Sequence, residues 1–98
     1  KILPLKCHLL LLFGSYAKKT QTKHSDIDLM FIVPDGTEDL MERGVQQIAS
    51  SLPLPIHYLV FSAQQFLELI LAKKSNVGQE AMKNNVILYG IETYYEMI

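Results

Sequence analysis

Apolar and polar positions fall in blocks whose period changes along the chain. "HLLLLF", His8 to Phe13, is a short continuous apolar run stopped by Gly14, the pattern of a strand buried on both faces. Ser15 is placed to cap a helical turn through "YAKK", and the polar "TQTKHS" that follows reads as a loop. "DIDLMFIV", Asp26 to Val33, is a second strand, ended by the turn chemistry of Pro34-Asp35-Gly36. From Thr37 the period becomes helical. Leu40, Met41, Val45, Ile48 and Leu52 lie near one face, with Thr37 as cap and Glu38 and Asp39 in the first turn, where the helix dipole favours negative charge.

"LPLP" closes that helix, and "IHYLVF" is a third strand. Ser62 is the expected cap of a helix carrying Phe66, Leu67, Leu69, Ile70 and Leu71. Beyond "KKSNVG" a short helix through Ala81 and Met82 leads into "NVILYG", a fourth strand or extended tail, and "IETYYEMI" reads as a terminal helix. Strands alternating with helices through short loops predict an α+β, or two-layer α/β, domain on a small sheet of three or four strands. No repeat or low-complexity segment interrupts it.

Length and composition narrow the class. Ninety-eight residues suit a single domain spanning 1–98. At 49% hydrophobic and 19% charged the chain has the make-up of an ordinary globule, and a net charge of −1 gives no sign of a nucleic-acid binder. A lone cysteine, Cys7, fits a reducing cytoplasm and behaves as a small core residue rather than a nucleophile. The start "KILPLKCHLLLLF" has an apolar stretch too short for a signal segment or a membrane span, so no membrane role is expected. The aromatic tail "YGIETYYEMI" either covers the sheet or packs on a partner.

The chemistry concentrates in "GSYAKKTQTKHSDIDL", Gly14 to Leu29. Aspartates are poor strand formers and costly to desolvate, yet Asp26 and Asp28 open an apolar strand. Side chains alternate, so both carboxylates are expected on one face, about 7 Å apart at their Cα atoms. A hard divalent cation such as Mg²⁺ relieves their repulsion, taking phosphate oxygens as its other ligands. Gly14 lets a backbone come close to a bulky anion, and Ser15 adds a hydroxyl and an N–H at a helix start. Lys18 and Lys19, with Lys23 further on, supply cations for a polyphosphate.

Gly14-Ser15, ten intervening residues and Asp26-Ile27-Asp28 resemble the G-S-x(10)-D-x-D signature of the minimal nucleotidyltransferases, small members of the DNA polymerase β superfamily. The resemblance continues through the following helix, strand and helix to "VILYG". It implies a small mixed sheet flanked by helices, with Mg²⁺, or Mn²⁺ in its place, and ATP as substrate. The implied reaction transfers a nucleoside monophosphate to a hydroxyl acceptor. Such proteins in prokaryotes are commonly antitoxins of HEPN-type helical toxins, and some AMPylate a tyrosine of that toxin.

Carried over, Gly14 and Ser15 hold the triphosphate, and Asp26 and Asp28 hold the metals. Lys18 stands where the family often has Arg, and Lys19 replaces a common Gly. The family usually has a third carboxylate in the third strand, where "PIHYLVFS" places His57. His57 is then either a replacement ligand or base, or the mark of a weakened site. His8 and His24 are read as surface or loop positions. Two readings result: a metal-dependent nucleotidyltransferase, or a catalytically impaired nucleotide-binding antitoxin that neutralises its partner by contact. Either is compatible with a homo-oligomer.

Overall fold

The computed structural model describes residues 7–20, 26–90 and 96. Four strands, β1 (Leu9–Phe13), β2 (Ile27–Val33), β3 (Ile56–Ser62) and β4 (Val86–Tyr89), form one sheet in the order β3-β2-β1-β4. β1 runs antiparallel to both β2 and β4, whereas β2 and β3 are parallel, so the sheet is mixed. The parallel pair needs a crossover, which α2 (Glu38–Ser50) supplies. A single turn, α1 (Ser15–Lys18), follows β1, and α3 (Ala63–Leu71) and α4 (Val77–Lys83) stand between β3 and β4. This is the α+β architecture with a small mixed sheet that the sequence predicts.

Strand alternation divides the core in two. Leu9, Leu11 and Phe13 of β1, with Met30 and Ile32 of β2, pack against Phe66 of α3 and Ala81 of α4. Phe31 and Val33, facing the other way, pack against Met41 and Val45 of α2. The sheet therefore carries helices on both faces, one layer more than the two-layer alternative in the sequence reading. Leu10 joins the α2 side, which explains why "HLLLLF" needs no polar alternation.

Ser62 caps α3 through a reciprocal box: its hydroxyl accepts from the Gln65 N–H at 3.1 Å, and the Gln65 side chain accepts from the Ser62 N–H at 2.9 Å. Two other caps differ from expectation. Thr37 makes no side-chain cap to α2, because its hydroxyl donates instead to the Pro34 carbonyl at 2.7 Å within the preceding turn. Ser15 is the first residue of α1 rather than its cap, since the Gly14 carbonyl already accepts from the Lys18 N–H. The last short helix starts earlier than "Ala81 and Met82" suggests, because the Asn76 side chain accepts from the Gln79 N–H at 3.0 Å and caps it.

Helical spacing also overcounts the buried face. Leu40, Leu52, Leu67 and Leu71 are exposed, Leu71 at 80%. "NVILYG" does form a strand, β4, paired to β1 with a register shift between Leu10 and Leu11. Most of the "IETYYEMI" segment, and the loop carrying Lys23 and His24, lie outside the described residues. Among the described residues no helix is long and apolar enough to cross a membrane.

Candidate functional site

One end of the sheet gathers the residues singled out from sequence. β1 ends there at Phe13, opposite Asp28 in the antiparallel register, and Gly14 follows at once. β2 and the parallel β3 both begin there, with Asp28 directly opposite His57. Their shared face also carries Met30, Ile32, Leu59 and Phe61, so apolar packing deeper in the strands fixes which way both polar side chains point.

Asp28 is the centre of this arrangement. Its side chain is 22% exposed, and Oδ1 lies 3.2 Å from Nδ1 of His57, whose own side chain is 60% exposed. Gly14 has φ +75, and a Cβ built on it would collide with Oδ2 of the same carboxylate. The position thus excludes a side chain twice, once by backbone conformation and once by space. One oxygen of Asp28 meets an imidazole and the other meets glycine backbone, so the carboxylate links all three strands of this corner.

Asp26 sits differently from the strand-paired position read from alternation. β2 begins at Ile27, whose N–H donates to the Pro55 carbonyl at 2.8 Å, and Asp26 is exposed just ahead of it. Among the described residues no group of three or more His, Cys, Asp or Glu side chains converges as a metal site. The carboxylates of Asp26 and Asp28 nevertheless suit a divalent cation that takes one or two carboxylates and completes its shell with substrate phosphates and water rather than an all-protein cage.

Lys18, the predicted phosphate contact, is engaged elsewhere. Its Nζ lies 2.7 Å from Oε2 of Glu80 on α4, with the two side chains 42% and 45% exposed. The hydrogen bond from Lys18 and its positive charge hold the Glu80 carboxyl below its ordinary pKa. Sequence reasoning missed Glu80 because its partner is sixty-two positions away, and only the placement of α4 joins them. Lys19 takes a left-handed conformation, φ 61, immediately after α1. The Thr20 N–H closes back on the Ser15 carbonyl at 2.9 Å, the bond of a helix-ending motif that favours Gly at the left-handed position. This accounts for the glycine that the resembled family often has there.

Away from this corner, burial pushes the Cys7 thiol above its ordinary pKa, outweighing its hydrogen bonds to the Leu9 and Ile32 carbonyls. That environment matches a packed cysteine rather than a nucleophile. His8 is exposed, as expected.

A mixed sheet that sets a Gly-Ser turn against an aspartate at a strand start defines an α+β domain of the nucleotidyl-transfer class. The sequence profile of the nucleotidyltransferase domain matches residues 8–93, and the chain belongs to that family. Comparison with curated proteins yields no sequence relative. Among solved structures the chain resembles a toxin–antitoxin determined with AMP-PNP, at 24% identity and a TM-score of 0.60, over 97% of this chain and 74% of that one. A mutant of the toxin–antitoxin MntA-HpeT matches at 20% identity and a TM-score of 0.57 over the same shares. A nucleotidyltransferase candidate from Sulfolobus solfataricus matches at 18% identity and a TM-score of 0.51, over 88% of this chain and 66% of that one. At these identities the likeness establishes the fold.

Proposed function

We propose that the chain transfers AMP from ATP to a hydroxyl of a partner protein, with Asp28 at the centre of the site. The observation that carries this reading is the Gly14 backbone lying directly on the Asp28 carboxylate, beside His57, at the shared end of β1, β2 and β3. Gly14 and Ser15 seat the triphosphate, and Lys18 adds positive charge when it exchanges Glu80 for phosphate. Asp26 and Asp28 would hold a divalent cation, which when bound neutralises phosphate charge and orients the reacting groups. The acceptor oxygen forms a bond to the α-phosphorus as the bond to the departing pyrophosphate breaks and the acceptor's proton passes to water, with His57 in the place of the third metal ligand.

Two of the similar structures are toxin–antitoxins, one of them with an ATP analogue, which supports a partner protein and a bound nucleotide here. The MntA-HpeT mutant alters two aspartates two positions apart, the spacing of Asp26 and Asp28. With the resemblance of the Gly-Ser and Asp-x-Asp motifs, this favours a HEPN-type helical toxin as partner and a tyrosine hydroxyl as acceptor. The second reading, an antitoxin that acts by contact and retains nucleotide affinity, is favoured by one observation: an imidazole at position 57 where the family usually has a carboxylate. Co-expression with the product of the adjacent reading frame separates the two. Neutralisation lost on joint Asp26→Ala and Asp28→Ala substitution supports transfer, whereas neutralisation that survives them supports contact.

A further inference from the structure

The parallel register sets His57 directly opposite Asp28, and its side chain is 60% exposed, so burial in the core does not account for the residue. Its Nδ1 lies 3.2 Å from Oδ1 of Asp28. Adjacent ligands of an octahedral ion bound at about 2.1 Å are about 3.0 Å apart, so these two atoms have the spacing of neighbouring ligands on one ion. A neutral imidazole offers a borderline nitrogen, which suits first-row transition ions and serves Mg²⁺ poorly. Compared with a carboxylate it also withholds one negative charge, on which a strongly hydrated hard cation depends.

We propose that Asp28 and His57 jointly ligate the activating ion and that this pair makes the site select a first-row transition ion, represented by Mn²⁺, over Mg²⁺. The proposal rests on the nucleotidyl-transfer reading and specifies its cofactor. Asp28 keeps its hard oxygen for any divalent ion, while His57 adds the discrimination. The remaining positions fall to triphosphate oxygens, to water and to Asp26 on the approach to β2. His57 and Asp28 approach from two strands of one sheet, so the ligand pair is held by backbone pairing and not by a loop.

The test is electron paramagnetic resonance of Mn²⁺ added with AMP-PNP to uniformly ¹⁵N-labelled protein, followed by competition with Mg²⁺. The expected result is a ¹⁵N coupling of the size given by a directly bound imidazole, present in the wild type and absent in His57→Asp. The isotope separates it from the ¹⁴N of the adenine. The preference for Mn²⁺ over Mg²⁺ should fall by about tenfold or more in His57→Asp. Mn²⁺ bound with AMP-PNP but without ¹⁵N coupling, or an unchanged preference in the variant, overturns the proposal and leaves nucleotidyl transfer standing. Failure of the wild type to bind Mn²⁺ with AMP-PNP overturns both. The coupling is read on the wild type, so the outcome does not depend on how well the variant folds.

Discussion

Replacing Gly14 with Ala should cost far more than the same change at Gly36, and the difference measures how firmly Asp28 is held. Both glycines have positive φ, +75 and +89, so both substitutions force alanine into the left-handed region. That strain alone costs about 1–2 kcal/mol. Around Gly36 nothing lies within 4 Å of the added carbon, so its cost stops there. At Gly14 the added carbon meets Asp28 Oδ2 and, further off, its Cγ and Cβ, atoms of a largely buried side chain tied to His57. Forcing a methyl group into such a packed position adds about 1–3 kcal/mol. The Gly14 variant should therefore lose about 2–5 kcal/mol in all.

In a domain this small each kcal/mol moves Tm by about 4–8 °C. Thermal unfolding followed by circular dichroism should thus show about 4–16 °C lost for Gly36→Ala and about twice that for Gly14→Ala. Binding of AMP-PNP should weaken in Gly14→Ala alone, because the displaced carboxylate belongs to the site. Equal losses of Tm in the two variants, with binding intact in both, would refute the reasoning that glycine backbone and Asp28 form one rigid corner.

Three further outcomes follow from other contacts. Glu80→Gln frees Lys18 from its ion pair, so isothermal titration should show AMP-PNP binding a few-fold more tightly than in the wild type, with the gain lost in added salt. Lys19→Gly relieves a left-handed lysine after α1 and should raise stability by up to about 1 kcal/mol in urea denaturation. The Cys7 thiol has a folded-state pKa above its unfolded value, so the stability it contributes is complete below the unfolded pKa and is lost as pH rises through the folded one. Unfolding midpoints of the wild type should fall more between pH 8 and pH 10 than those of Cys7→Ala, a window set by the ordinary thiol range of about 8.5.

Strand and helix order was legible because each block of the chain keeps one period and ends at a strong signal: Gly14, Pro34-Asp35-Gly36, the Ser62 cap. The fourth strand was legible only as an alternative, since "NVILYG" is short and its pairing with β1 is made across most of the chain. Spacing also overstated burial, as α2 and α3 each press on the sheet with a narrower stripe than their leucines outline, leaving Leu40 and Leu71 in solvent. The Gly14–Asp28–His57 corner was half visible. The motif names the residues, but their contact comes from a register, 13 against 28 and 28 against 57, which no local pattern encodes. Glu80 was invisible for the same reason, because only the packing of α4 on Leu69 through Gly78 brings it to Lys18.

The central claim is that this corner moves a nucleotide and not a phosphate. The most direct measurement incubates the protein and the adjacent frame's product with Mn²⁺ and ATP labelled at either the α- or the γ-phosphate, beside an Asp28→Asn control. The account predicts label on the partner from α-labelled ATP only, and none with Asp28→Asn. Label arriving from the γ-phosphate, or α-label transferred undiminished by Asp28→Asn, would contradict it.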